Sequence, residues 1–228
     1  MSEIDSAVNT IEDRIGYSFR NKELIREALT HSSFANERKI NKLSCNERLE
    51  YLGDAVLELV SSDHIFRNYP DMPEGRMSKF RASLVCEEAL AICAEKIGLG
   101  KLIFLGKGEE QSGGREKPSV TSDAFEAVIG ALYLDGGIDT ARKFITEYVL
   151  QNAEEHLVTA DPKSALQEKV QAMNHDTIEY RIISESGPEH DKSYSVEVLI
   201  GGKVCGSGTG RSKKLAEKEA ALEALRRL

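Results

Sequence analysis

The chain has no stretch long and apolar enough to cross a membrane as a helix. Its longest fully apolar run is A-V-I-G-A-L-Y-L at 127–134, against the ~20 residues a span needs. The first ten residues, M-S-E-I-D-S-A-V-N-T, carry two acids and no apolar core, so no secretory leader is expected. Cysteine is scarce: Cys45, Cys86, Cys93 and Cys205 form no C-x-x-C pair and have no histidine at zinc spacing. No structural zinc site is implied, and the four read as reduced thiols of a cytoplasmic protein. The glycine-rich stretch Gly106 to Lys117 lacks G-K-[ST], so it reads as a loop and not as a phosphate cradle. There is no internal repeat and no low-complexity tract, and no organic cofactor is expected.

Basic charge is also in deficit. The net charge of −8 taken alone argues against nucleic acid. Its distribution does not. From Asp161 to Leu228 there are 11 basic and 11 acidic residues, so all of the excess lies in residues 1–160. A neutral segment can still carry a basic face.

What is present organises into two parts. Apolar residues at three- and four-residue spacing mark helices over about 5–15, 21–30, 46–67, 76–97, 118–134 and 138–154. Pro118 suits a first helical turn, and Gly136-Gly137 closes that helix. The pattern changes near Val158. Residues 157–161 read as a linker, with Pro162 at the first position of a helix reaching about Met173. Near-alternation follows in I-E-Y-R-I-I (178–183) and Y-S-V-E-V-L-I (194–200), and Gly201-Gly202 turns the chain into K-V-C-G-S-G. An alanine-rich helix from about Ser212 ends the chain. The fold class is therefore an all-α domain over 1–156 and an α+β (α-β-β-β-α) domain over 162–228.

Two helices carry unusual acids. In N-E-R-L-E-Y-L-G-D-A-V-L-E-L-V (46–60), Leu49, Leu52, Val56, Leu59 and Val60 share one side. Glu47, Glu50, Asp54 and Glu58 gather on the other. The plain alternative is a solvated acidic face, since like charges at i,i+4 cost only ~0.2–0.5 kcal/mol. The second helix, T-S-D-A-F-E-A-V-I-G-A-L-Y-L (121–134), is apolar on nearly every side, yet holds Asp123 and Glu126. D-x-x-E could be a capping box, but Pro118 offers an earlier start. From there both acids are interior, and buried carboxylates need a cation or a proton. Two such pairs suggest a shared divalent-metal site. An all-oxygen donor set favours Mg²⁺ or Mn²⁺ over Zn²⁺, and such sites serve phosphodiester hydrolysis.

A third feature is basic. Arg211, Lys213, Lys214 and Lys218 crowd the start of the last helix, the end already positive from the helix dipole. A docked phosphate removes that misfit, and ordinary surface lysines are the alternative. Few aromatics are interleaved there, which favours backbone-directed duplex binding over stacking on single-stranded bases.

These blocks resemble a known family. N-E-R-L-E-Y-L-G-D-A-V-L is similar to the signature motif of bacterial ribonuclease III. T-H-S-S-F-A-N-E (30–37), P-E-G-R-M-S-K-F-R-A-S-L-V (73–85) and S-D-A-F-E-A-V-I-G-A-L-Y-L-D-G-G (122–137) resemble its other blocks, in order. The final α-β-β-β-α stretch resembles a double-stranded RNA-binding domain, including G-P-E-H (187–190) and K-K-L-A-E-K-E-A-A (213–221). The resemblance implies an endonuclease that cuts double-stranded RNA to 5′-phosphate and 3′-hydroxyl ends with short 3′ overhangs, in rRNA and mRNA processing. It implies Mg²⁺ at Glu50, Asp54, Asp123 and Glu126, with Mn²⁺ as substitute, and Glu47 and Glu74 as auxiliary acids. It implies a homodimer in which Tyr51 is an aromatic knob. Ser164, Gln167, Glu168, Gln171 and His190 match minor-groove contacts, and Lys213, Lys214 and Lys218 a phosphate clamp. His31 and Ser33 read as structural, and Glu58 as a solvated charge. A duplex RNA-binding regulator that does not cut is the alternative, and the presence of all four acids speaks against it.

Overall fold

The computed structural model describes residues 3–39, 44–151, 153–173, 177–188 and 191–228. The chain forms two compact units, Met1–Ala153 and Glu154–Leu228.

The first unit is helical: α1 (Glu3–Ile15), α2 (Lys22–Ala28), α3 (Ser32–Glu37), α4 (Glu47–Asn68), α5 (Glu74–Leu84), α6 (Glu87–Lys96), α7 (Lys107–Gln111) and α8 (Pro118–Tyr148). Its axis is the packing of α4 on α8. The apolar sequence of α8 places Ala124, Phe125 and the run 127–132 in the interior. From α4, Leu49, Val56, Leu57, Val60 and Ile65 are buried. Two glycines let the helices touch backbone to backbone. A Cβ on Gly53 would lie 1.8 Å from the Glu126 carbonyl oxygen, and one on Gly130 would lie 2.3 Å from that of Leu49. Helix α8 does start at Pro118, and Gly137 (φ 78°, ψ −178°) kinks it.

Three features depart from the periodicity. The pattern over 76–97 is two helices, because Cys86 is extended and Glu87 and Glu88 open a new first turn where acids favour the dipole. Leu59 is not in the core. It is 59 % exposed, and with Tyr51 (82 %) and Phe66 (71 %) it leaves an uncovered apolar flank on α4. Residues 157–160 are helical: α9 (Ala153–Ala160) begins at the boundary between the units and carries Glu154 and Glu155 in its first turn.

The second unit continues with α10 (Pro162–Met173), β1 (Ile178–Ser186), β2 (Ser193–Ile200), β3 (Lys203–Gly210) and α11 (Lys213–Arg227). The sheet is antiparallel in the order β1-β2-β3. Leu166 and Val170 of α10, Val196 and Val198 of β2 and the alanine face of α11 form its core. Strand β3 lies directly on α11, since a Cβ on Gly208 would sit 2.3 Å from the Ala220 nitrogen. β3 is also an edge strand. The backbone N–H groups of Ser207 and Thr209 donate to the carboxylates of Glu223 and Glu219 on α11, so its rim is not left open.

Candidate active site

The glycine crossing decides where the acids meet. It sets α4 against α8 at Gly53 and Glu126, with Glu50 and Asp54 flanking Gly53 on its own helix. One carboxylate oxygen each from Glu50, Asp123 and Glu126 falls within 4.8 Å of the others, and all three residues are half-buried. Asp54 is exposed and stands outside that group, but its charge bears on both Glu50 and Glu126. No Lys or Arg pairs with Glu50, Asp123 or Glu126 among the described residues.

The electrostatics follow. Burial first, and then the negative charges of Asp54, Glu50, Asp123 and Glu58, push the Glu126 carboxyl up to about 8. Burial and the neighbouring Asp123, Glu47 and Asp54 raise Glu50. Asp123 is raised by burial and by Glu87, against a Ser122 hydroxyl bond and the His31 charge, which lower it. A set of hard oxygens that cannot all ionise together suits a divalent cation of the Mg²⁺ or Mn²⁺ kind.

The remaining acids divide. Glu47 is exposed and acts on Glu50 through its charge. Glu74 opens α5, accepts a bond from the Ser78 hydroxyl (2.8 Å), and lines a groove of about 450 Å³ with Leu59, Phe66, Met77 and Arg81. The reading of Glu58 as a solvated charge is corrected. It is half-buried and paired with Arg81 Nε at 2.6 Å, a partner on another helix that the wheel of α4 cannot display. His31 Nδ1 accepts the Ser33 N–H that caps α3, and Ser33 Oγ in turn accepts from Gly106 N.

Comparisons with known proteins fit this arrangement. A family model described as ribonuclease-III-like matches residues 21–153, and one described as the double-stranded RNA binding motif matches residues 162–228. The chain is 51 % identical to Ribonuclease 3 of Oceanobacillus iheyensis over 222 residues, 96 % of each chain. It belongs to the ribonuclease III family. Ribonuclease 3 of Listeria innocua is 47 % identical over 220 residues, again 96 % of each. A solved nuclease domain of ribonuclease III from Campylobacter jejuni is 41 % identical and superposes with a TM-score of 0.59, covering 64 % of this chain and 97 % of that one. The chain is a double-strand-specific endoribonuclease of this metal-dependent family. Among the described residues no helix is long and apolar enough to cross a membrane.

In the RNA-binding unit, Ser164 is half-buried while Gln167, Glu168 and Gln171 are exposed on α10. The Ser164 N–H and hydroxyl both donate to Asp161, which caps that helix. Ser212 caps α11 by accepting from Leu215 N. Lys213 and Lys214 are exposed, Lys218 half-buried, and the Lys213 ammonium lies 5.7 Å from the centre of the Tyr194 ring. His190 lies outside the described residues.

Proposed function

We propose that Glu50, Asp54, Asp123 and Glu126 hold Mg²⁺, or Mn²⁺ in its place, for hydrolysis of double-stranded RNA to 5′-phosphate and 3′-hydroxyl ends with short 3′ overhangs. The observation that carries this reading is the convergence of Glu50, Asp123 and Glu126 within 4.8 Å. An ion held by these carboxylates would supply a water of lowered pKa and charge stabilisation at the phosphate oxygens. The chain supplies direction. Glu50 and Glu126 face each other from helices locked by Gly53 and Gly130, so the oxygens are placed before any ligand arrives. Glu47 and Glu74 add negative charge beside the cut. Ser164, Gln167, Glu168, Gln171 and His190 contact minor grooves, and Lys213, Lys214 and Lys218 grip the phosphates between. Residues 162–228 bind and residues 1–156 cut. The setting is cytoplasmic processing of rRNA and mRNA, with no organic cofactor.

One carboxylate set per chain makes cutting of both strands the work of a homodimer. Tyr51 and the groove beginning at Leu59 lie on the same helix, eight residues or roughly 12 Å apart. Across a two-fold axis each knob then meets the other chain's groove, and the contact is self-complementary. Tyr51→Asp is expected to shift the sedimenting species from dimer to monomer. A dimer as stable as that of the unaltered protein would contradict the knob.

The metal test is direct. Cleavage of duplex RNA is expected with Mg²⁺ and Mn²⁺, and none with EDTA or Ca²⁺, whose longer bonds and looser coordination misplace the water. Loading carries a pH signature. With its carboxyl at about 8, Glu126 holds a proton at pH 7 that the cation must displace. Calorimetry in buffers of different ionisation enthalpy should find about one proton released at pH 7, falling towards none above pH 9. Release that does not change with pH would count against Glu126 as a ligand.

A further inference from the structure

Lys163 is the second residue of α10, beside Ser164 on the helix proposed to enter a minor groove. A lysine there would ordinarily reach for a phosphate. This one turns inward. Its ammonium is 2.7 Å from Glu217 Oε2 on α11 and 4.3 Å from the centre of the Tyr180 ring on β1. Both partners of the ion pair are half-buried, with side chains 40 % and 26 % exposed. Glu217 directly precedes Lys218 and follows Lys213 and Lys214 by four and three residues, one turn farther along α11, so it sits between the residues of the proposed clamp. The Tyr180 hydroxyl is buried with no hydrogen-bond partner among the described residues, and its ring lies behind the ammonium. The pair therefore ties the first turn of α10, already fixed by Asp161 through Ser164, to the second turn of α11.

We propose that Lys163 and Glu217 are positioning residues, whose ion pair over the Tyr180 ring sets the spacing between the minor-groove face of α10 and the lysine clamp of α11. The inference rests on the RNA contacts proposed above. An A-form duplex offers its minor groove and the adjoining phosphates at a fixed distance, and one such domain spans about 16 base pairs. Two contacts held at that distance engage as one event, and contacts free to drift engage one at a time. The pair acts on simultaneity, not on either contact alone.

The test measures binding of the full chain in EDTA to duplex RNA of about 20 and about 10 base pairs, the shorter reaching one site only. Lys163→Met and Glu217→Gln should each weaken binding to the long duplex about tenfold and leave the short one within about twofold. The salt slope on the long duplex should fall, since fewer phosphates are engaged together. Lys163→Arg, which keeps both the charge and the ring contact, should retain the affinity of the unaltered protein. The sign for Glu217→Gln discriminates. It removes a negative charge beside the clamp, so simple electrostatics predicts tighter binding. Tighter or unchanged binding to the long duplex, or equal losses at both lengths with a lowered melting temperature, overturns the inference. Lys213→Ala with Lys214→Ala separates the two layers. If that variant binds normally, the clamp itself falls. If it binds weakly while Glu217→Gln does not, only the spacing role falls.

Discussion

Glu126→Gln is expected to slow cleavage by more than about a thousandfold, the scale on which a single preorganised electrostatic group acts, while duplex binding in EDTA stays unchanged. The glutamine is nearly isosteric with the protonated acid that occupies this place at neutral pH. It cannot ionise to receive a cation. Binding rests on the other unit, so a gel-shift assay and a cleavage assay should part company. Equal loss in both would show that residues 1–156 also do the gripping. Stability supplies a second readout whose sign can be worked out. The folded protein holds the Glu126 proton up to about pH 8, whereas an unfolded chain releases it near the usual 4.5. Below about 4.5 both states are protonated and the folded state keeps its full stability. Between 4.5 and 8 the folded state alone keeps the proton, so the stability of the metal-free protein falls as pH rises. Glu126→Gln should flatten that decline in denaturant titrations, and a slope identical to that of the unaltered protein would contradict the assignment.

Gly53→Ala should cost about 3 kcal/mol of stability or more, at the upper end of what overpacking costs, and should abolish cleavage as well. The added methyl would lie 1.8 Å from the Glu126 carbonyl oxygen, and a backbone atom within a packed helix has nowhere to go. α4 must move away from α8, and Glu50 moves with it. Substitution at Gly75, where a Cβ meets nothing within 4 Å, is the control. Urea denaturation and Mg²⁺-dependent cleavage measured on both variants check the contrast. A stable, active Gly53→Ala would mean that the helix crossing does not set the carboxylates.

Much of this was legible in the residues. Pro118 separated a capping box from a pair of interior acids, because the helix opens five residues before Asp123. The alternation in 178–183 and 194–200 and the Gly201-Gly202 turn became the hairpin-linked sheet. What escaped were relations between elements. Glu58 looks solvated on the wheel of its own helix, and only the fold brings Arg81 to it. Leu59 and Leu57 are equally apolar, and which one is buried depends on where α8 lies. Short helices such as Lys107–Gln111 carry too few turns for a period to register. Asp54 matches the signature as well as Glu50 does, yet it is exposed and lies outside the 4.8 Å group.

The glutamates that close the rim of β3 have a consequence for crowding. An edge strand with bare N–H groups is a template on which another chain can pair, and the closer such strands come the greater that hazard. Glu219 and Glu223 occupy the N–H groups that such a neighbour would need. The helix proposed to grip RNA through lysines at its start thus also covers, farther along, the outer N–H groups of the strand it packs on.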